Sequence, residues 1–211
     1  RVNTGMKVSS AKDNGAIFAI ATAQRAEMGA QDAVKQSLQR GQSIVDVALA
    51  AGETVVDALT ELKSLAVAIQ DAEAVSDTAD KLNADFTAIV NEISSAIDGA
   101  TFDGVNLFTA TTATEVSTNT SGGKFELGDG TAVDPITGGA ADLATVANRT
   151  AANVESAINA FTTVLADLGT KSKSMDRQLT FVGKMQDALE TGIGNLVDAD
   201  LAKESARLTA L

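Results

Sequence analysis

Apolar residues recur along this chain at alternating spacings of four and three. The first such run is Ile44, Ala48, Ala51, Val55, Ala58, Leu62, Leu65 and Ile69. That is the heptad seam of a helix packed lengthwise on another helix. Lys12, Asp13 and Asn14 precede an Ala-rich stretch and read as its start, with Asp13 or Asn14 able to cap free N–H groups. No proline interrupts the helix from there to about Gln70. A second stripe follows at Ala79, Leu82, Phe86, Ile89, Ile93 and Ile97. It lies on a shorter helix over 77–98, opened by Ser76, Asp77 and Asp80, where acids favour the helix dipole. The third run is the longest: Val154, Ile158, Phe161, Leu165, Leu168, Ser172, Met175, Leu179, Val182, Gln186, Leu189, Ile193 and Leu196. Only Ser172 and Gln186 in it are polar. At about 1.5 Å per residue it spans roughly 60 Å, so its partner must be the long N-terminal helix.

Between the second and third stripes the pattern changes. Residues 99–139 are rich in Thr, Gly and Ser and hold the single proline, Pro135. Segments 105–109 and 124–127 read as short strands, separated by turns through Ser121, Gly122 and Gly123. The predicted fold is mainly α: long antiparallel helices packed as a coiled-coil-like rod, with a small β-hairpin region at one end. Its segments are 1–98 (opening segment and two helices), 99–147 (variable hairpin and turns) and 148–211 (the last long helix), one domain overall. The final stretch 206–211 has no stop signal and reads as cut within a helix.

Composition narrows the function. Hydrophobic residues make up 45% of the 211, yet aromatics only 3%, with no Trp and no Tyr. Ala, Val, Leu and Ile must therefore supply the burial, which suits slender helices in close contact. A net charge of −12 argues against phosphate binding and hence against nucleic acid. With Cys and His both absent, disulfides, thiolate or imidazole metal sites and Ser–His–Asp or Cys–His nucleophiles are all excluded. No run approaches the ~20 apolar residues that cross a bilayer, so a membrane partner is not expected.

The opening run Arg1, Thr4, Gly5, Lys7, Val8, Ser10, Ala11, Lys12, Asp13, Asn14 closely resembles the same segment of bacterial flagellins. The resemblance continues in Leu59 with Leu65, Ala66 and Val67, in Val90, Asn91, Glu92 and Ile93, and in the turn Phe102, Asp103, Gly104, Val105. Near the C-terminus Leu168 and Gly169 open a region that agrees in order more than in identity. Most of 1–108 and 150–211 is covered.

Flagellins do no chemistry; they pack against copies of themselves. The resemblance implies a structural subunit of an extracellular filament that serves motility, without cofactors, catalytic residues or metal. Implied partners are other flagellin subunits, the flagellar export machinery and the filament cap. It also implies that this 211-residue fragment is monomeric, since the terminal inner-tube helices that drive polymerisation are missing; sedimentation of the fragment checks this. Contact surfaces between subunits are expected near Gln39, Arg40 and Gln42 and in the loop 71–77. Glycines inside helices, among them Gly29, Gly41, Gly52, Gly183, Gly192 and Gly194, serve either close helix approach or local softness. Some flagellins engage an innate Toll-like receptor through an Arg four residues before a Leu. Alignment on Leu65 puts Glu61 at that position and Asp85 where a Glu stands. The reversed charge implies weak or no activation, which a receptor-reporter assay tests.

Three other readings compete. A hook–filament junction protein shares the terminal-helix plan. A secreted rod-like adhesin or carbohydrate-binding module would use Phe102, Phe108 and Phe125. Catalysis would need a carboxylate pair such as Asp129 with Asp134, or Asp198 with Asp200, and neither has a partner motif. Asn119 and Asn148 each open a short glycosylation pattern.

Overall fold

The computed structural model describes residues 5–72, 76–198, 206 and 209. Three helices dominate: α1 Gly15–Asp71, α2 Ser76–Asp98 and α3 Ala151–Val197. A two-stranded antiparallel sheet joins β1 Thr114–Ser117 to β2 Lys124–Gly128, and a 3₁₀ turn Val146–Asn148 leads into α3. The mainly helical fold with a small hairpin is the architecture read from the periodicity.

Asn14 starts α1: its Oδ1 accepts from Ile17 N–H at 3.1 Å. Asp13 serves the preceding turn, accepting from the N–H groups of Ser9 and Ser10 and the Ser9 hydroxyl. These donors hold its carboxyl below the usual carboxylate range. Thr150 starts α3 by accepting from Asn153 N–H at 3.2 Å.

Packing divides the chain into two compact units. One consists of Arg1–Gln39, Ser117–Lys124 and Arg177–Leu211; the other of Arg40–Val116 and Phe125–Asp176. In the first, Val8, Ala21, Ile193 and Val197 form a buried cluster, with Ile17, Phe18, Met28 and Leu196 against it. The amides of Lys7 and Val8 donate to the carbonyl of Val197. Gln186 donates to Asp32, Ser117 N–H to the Ser37 hydroxyl, and the Thr120 hydroxyl to Glu27 at 2.6 Å.

In the second unit the buried line along α1 is Ala48, Gly52, Val55, Leu59, Leu62, Ala66 and Ile69. Its alternate positions stand one residue beyond the expected Ala51, Ala58 and Leu65, which are half-buried. An inward arc that covers both lines is wider than a two-helix seam, as in a helix with neighbours on more than one side. Ile44 is buried in the same unit. On α3, Val154, Phe161, Leu168 and Met175 are buried at every seventh position, while Ile158 and Leu165 are half-buried. Further along α3, in the first unit, Val182 and Ile193 are buried, with Leu179, Leu189 and Leu196 half-buried. The step of 11 from Val182 to Ile193 is that of a straight helix, which drifts off a strict heptad.

The predicted strand 105–109 does not form. The peptide instead turns tightly at Asp103 (φ 50°) and Gly104 (φ 73°), and Phe102 and Val105 exchange hydrogen bonds at 2.9 Å. Asn106, 8% exposed, then turns inward. Its Nδ2 donates to the carbonyl of Ile97 at 2.7 Å and of Asp98 at 3.3 Å, satisfying the orphan end of α2. The segment is thus used as a helix cap, and the hairpin's first strand forms later, at β1.

Glycines in the helices divide into two kinds. A Cβ on Gly41 would meet Val116 Cγ1 at 2.7 Å and Met175 Sδ at 3.0 Å, so its bare backbone seats the hairpin and α3 on α1. A Cβ on Gly52 would collide with Leu165. Gly29, Gly183 and Gly192 have nothing within 4 Å, and Gly194 faces only the Asp198 carboxylate. Gly183→Ala is therefore expected to stabilise the protein by about 1 kcal/mol, by removing unfolded-state freedom without a clash. Urea unfolding followed by circular dichroism measures this, and a loss of stability would contradict it.

Candidate assembly surface

Residues 99–116 and 125–148 hold the turn chemistry of the second unit. Asp129 Oδ1 accepts from Thr131 N–H, Asp134 Oδ1 from Ile136 N–H and Asp142 Oδ1 from Ala144 N–H, each at 2.8 Å. These are Asx turns, in which a carboxylate closes on the backbone two residues ahead. The Thr131 N–H, above all, holds the Asp129 carboxyl below the usual range. Asp129 and Asp134 are thus engaged separately in turns. Of the other carboxylate pair, Asp198 is exposed and Asp200 lies outside the described residues. Among the described residues no cluster of three or more His, Cys, Asp or Glu could hold a metal ion. No helix among them is long and apolar enough to cross a membrane.

The centre of this arrangement is Arg149, 4% exposed and absent from every sequence expectation except as the middle of a glycosylation pattern. Its Nη1 donates to Asn83 O at 2.9 Å and Asn83 Oδ1 at 3.0 Å, and its Nη2 to Thr87 Oγ1 at 2.9 Å. Longer bonds of 3.3 Å reach the carbonyls of Leu143 and Ala144. The guanidinium stacks 4.6 Å from the centre of the Phe86 ring. Every one of these oxygens is neutral, and burial lowers the Arg149 pKa from its ordinary value. A single side chain thereby fastens the segment before α3 to the middle of α2. No local pattern announces it, because its partners lie 62 and 66 residues away.

Both glycosylation patterns are occupied by structure. Asn119 Oδ1 accepts from the N–H groups of Ser121 and Gly123, and half-buried Asn148 donates to the Asp142 carbonyl at 2.9 Å. Of the aromatic residues considered for a ligand, Phe108 is 1% exposed and tilted against Phe161 with ring centres 5.4 Å apart. Phe125 is half-buried, and Phe102 alone is exposed. A shallow cleft of about 320 Å³ runs beside Phe108, Leu127 and Val164.

Surface residues named from the sequence are placed as follows. Arg40 forms an ion pair with Asp103 at 2.6 Å, and half-buried Gln42 donates to Asp176 at 2.5 Å and to the Ser172 carbonyl at 3.4 Å. Gln39 is exposed. In the loop 71–77, Asp71 and Asp77 are exposed, while residues 73–75 lie outside the described residues, as do Arg1, Thr4 and most of 206–211. Glu61 and Asp85 are exposed and Leu65 is half-buried. Missed altogether were the large apolar side chains left in solvent on helices: Ile20 (50%), Val67 (47%), Phe181 (57%) and Met185 (37%).

Comparison with known proteins gives a consistent picture. Residues 1–113 match the profile of the bacterial flagellin N-terminal helical region, and residues 151–211 that of the bacterial flagellin C-terminal helical region. Flagellin FljM of Caulobacter vibrioides is 46% identical over the whole of this chain and 79% of its own length. Flagellin FljO of the same organism is 44% identical with the same coverage. The crystal structure of Bacillus cereus flagellin superimposes with a TM-score of 0.44 at 18% identity, covering 82% of this chain and 94% of that one.

Proposed function

Since this chain belongs to the bacterial flagellins and is a structural subunit of the flagellar filament, we propose that it works mechanically, through stiffness and repetition. Burial along α1 and α3 within each compact unit makes bending of that unit costly, because many close-packed contacts must be broken together. The subunit lies outside the cell, reached through the flagellar export machinery and added beneath the filament cap. Motor torque passes from copy to copy through exposed helix faces.

The observation that carries this reading is the pairing of the two family-matched helical regions, 1–113 and 151–211, which leave only residues 114–150 between them. The experiment is negative-stain electron microscopy of the full-length protein added to sheared filament seeds. Long filaments are expected to grow from the seeds. Rods that cap seeds without elongating would point to a hook–filament junction protein, and protein that ignores the seeds would point to a binding module.

A further inference from the structure

We propose that the exposed face of α3 around Phe181 docks on the acidic face of α1 in a second copy of this chain, an inference that rests on the filament-subunit reading. Phe181 is 57% exposed and Met185 37%, one turn apart on the same side of α3. Arg177 and Lys184 flank them on that side, at 100° per residue. The nearest carboxylates along the helix, Asp176, Asp187 and Glu190, project to the other half. The face is therefore apolar and cationic. Apolar side chains this large are normally turned inward when a helix has an inward face to give them.

A complementary face exists on the same molecule. Asp46, Glu53, Asp57 and Glu61 are all exposed on one side of α1, and no Lys or Arg occurs from 41 to 62. Glu53, Asp57 and Glu61 stand four apart, a like-charge spacing that weakens a helix unless a cation answers it. None of the four carboxylates has a cationic partner among the described residues. Ala50, also exposed, lies between Asp46 and Glu53 and leaves room for a ring.

Charge decides the occupant. At a net −12, two copies repel at long range, so a contact that forms between them must set a cationic patch against an anionic one. The two faces differ, so the contact is head-to-tail. Such a heterologous contact does not close on itself, and it propagates as an open helical array.

The test uses the full-length protein and filament seeds, with Asp57→Lys and Lys184→Glu, both at exposed positions. Each alone is expected to raise the critical concentration for elongation by about tenfold, and the combination to return it to within about threefold of the parent. The chain has no cysteine, so Phe181→Cys and Asp57→Cys proteins of different tagged length give a second readout. In mixed filaments they are expected to form a mixed disulfide dimer under mild oxidation. Single reversals that elongate normally, a combination no better than its worse parent, or filaments without that dimer would each overturn the docking. Failure of the unmodified protein to elongate seeds would overturn the filament reading and this inference with it.

Discussion

Arg149→Ala is expected to lower the unfolding free energy by about 4 kcal/mol, a loss as large as that expected from truncating a buried aromatic ring of the α3 seam. Two effects oppose one another. The buried guanidinium has no carboxylate partner, so its removal relieves a desolvation cost of several kcal/mol. Against this stand three hydrogen bonds near 2.9–3.0 Å, two at 3.3 Å and the contact with Phe86. Hydrogen bonds from a charged donor contribute about 1.5–3 kcal/mol each. Of the oxygens left behind, the Leu143 carbonyl belongs to a buried residue, Asn83 is half-buried, and Thr87 and Ala144 are exposed. The bonds win, because removal breaks five at once and leaves the Leu143 carbonyl buried without the guanidinium. Arg149→Lys is expected to recover less than half the loss, since one ammonium cannot reach acceptors spread around a planar fork.

Urea unfolding gives the size of the effect, and hydrogen exchange gives its place. Protection should fall first at 83–87 and 143–149. The guanidinium stays protonated throughout the accessible range, so the loss should be the same at pH 5 and pH 8. An Arg149→Ala protein within about 1 kcal/mol of the parent would show that the relief of desolvation dominates instead.

Why Arg149 escaped the sequence while the helices did not is a matter of range. A heptad stripe repeats the same information every seven residues, so α1 and α3 are legible even where single positions shift. Leu65 illustrates the shift: a large apolar residue attracts the seam, yet the deeper position belongs to Ala66, whose small side chain permits closer packing. The hairpin was half legible. Lys124–Gly128 alternates clearly, whereas β1 is hidden in a Thr-rich run that reads as turns. Segment 105–109 has strand-like residues, but the left-handed pair at Asp103 and Gly104 and the inward turn of Asn106 take precedence. Gly41 is similar, because its packing partners Val116 and Met175 are remote in sequence.

The candidate surface shows the opposite balance. Arg40 and Gln42 were expected to face neighbours because they are polar, yet their side chains bond to Asp103 and Asp176 of the same unit. Phe181 and Met185 lie off the heptad seam and drew no expectation, yet they are large apolar side chains that stand in solvent. Polarity alone does not distinguish an intramolecular anchor from a lattice contact; the partner's location does.

Phe161→Ala is expected to cost about 4 kcal/mol and Phe108→Ala about 3 kcal/mol, with the double substitution about 1 kcal/mol milder than the sum. Both rings are 1% exposed, so truncation leaves a dry cavity as well as lost burial. The shortfall in the double substitution reports their tilted contact at 5.4 Å. A Phe108→Ala protein that loses under about 1 kcal/mol would instead mark Phe108 as a side chain kept for a ligand. The same variants separate fold from assembly. Neither ring belongs to the exposed faces of α1 or α3, so below their lowered melting temperatures both proteins should still elongate seeds as the parent does. If elongation fails while the helices remain folded, residues 99–148 must themselves touch the neighbouring subunit, and the turns that Arg149 fastens become part of the filament contact.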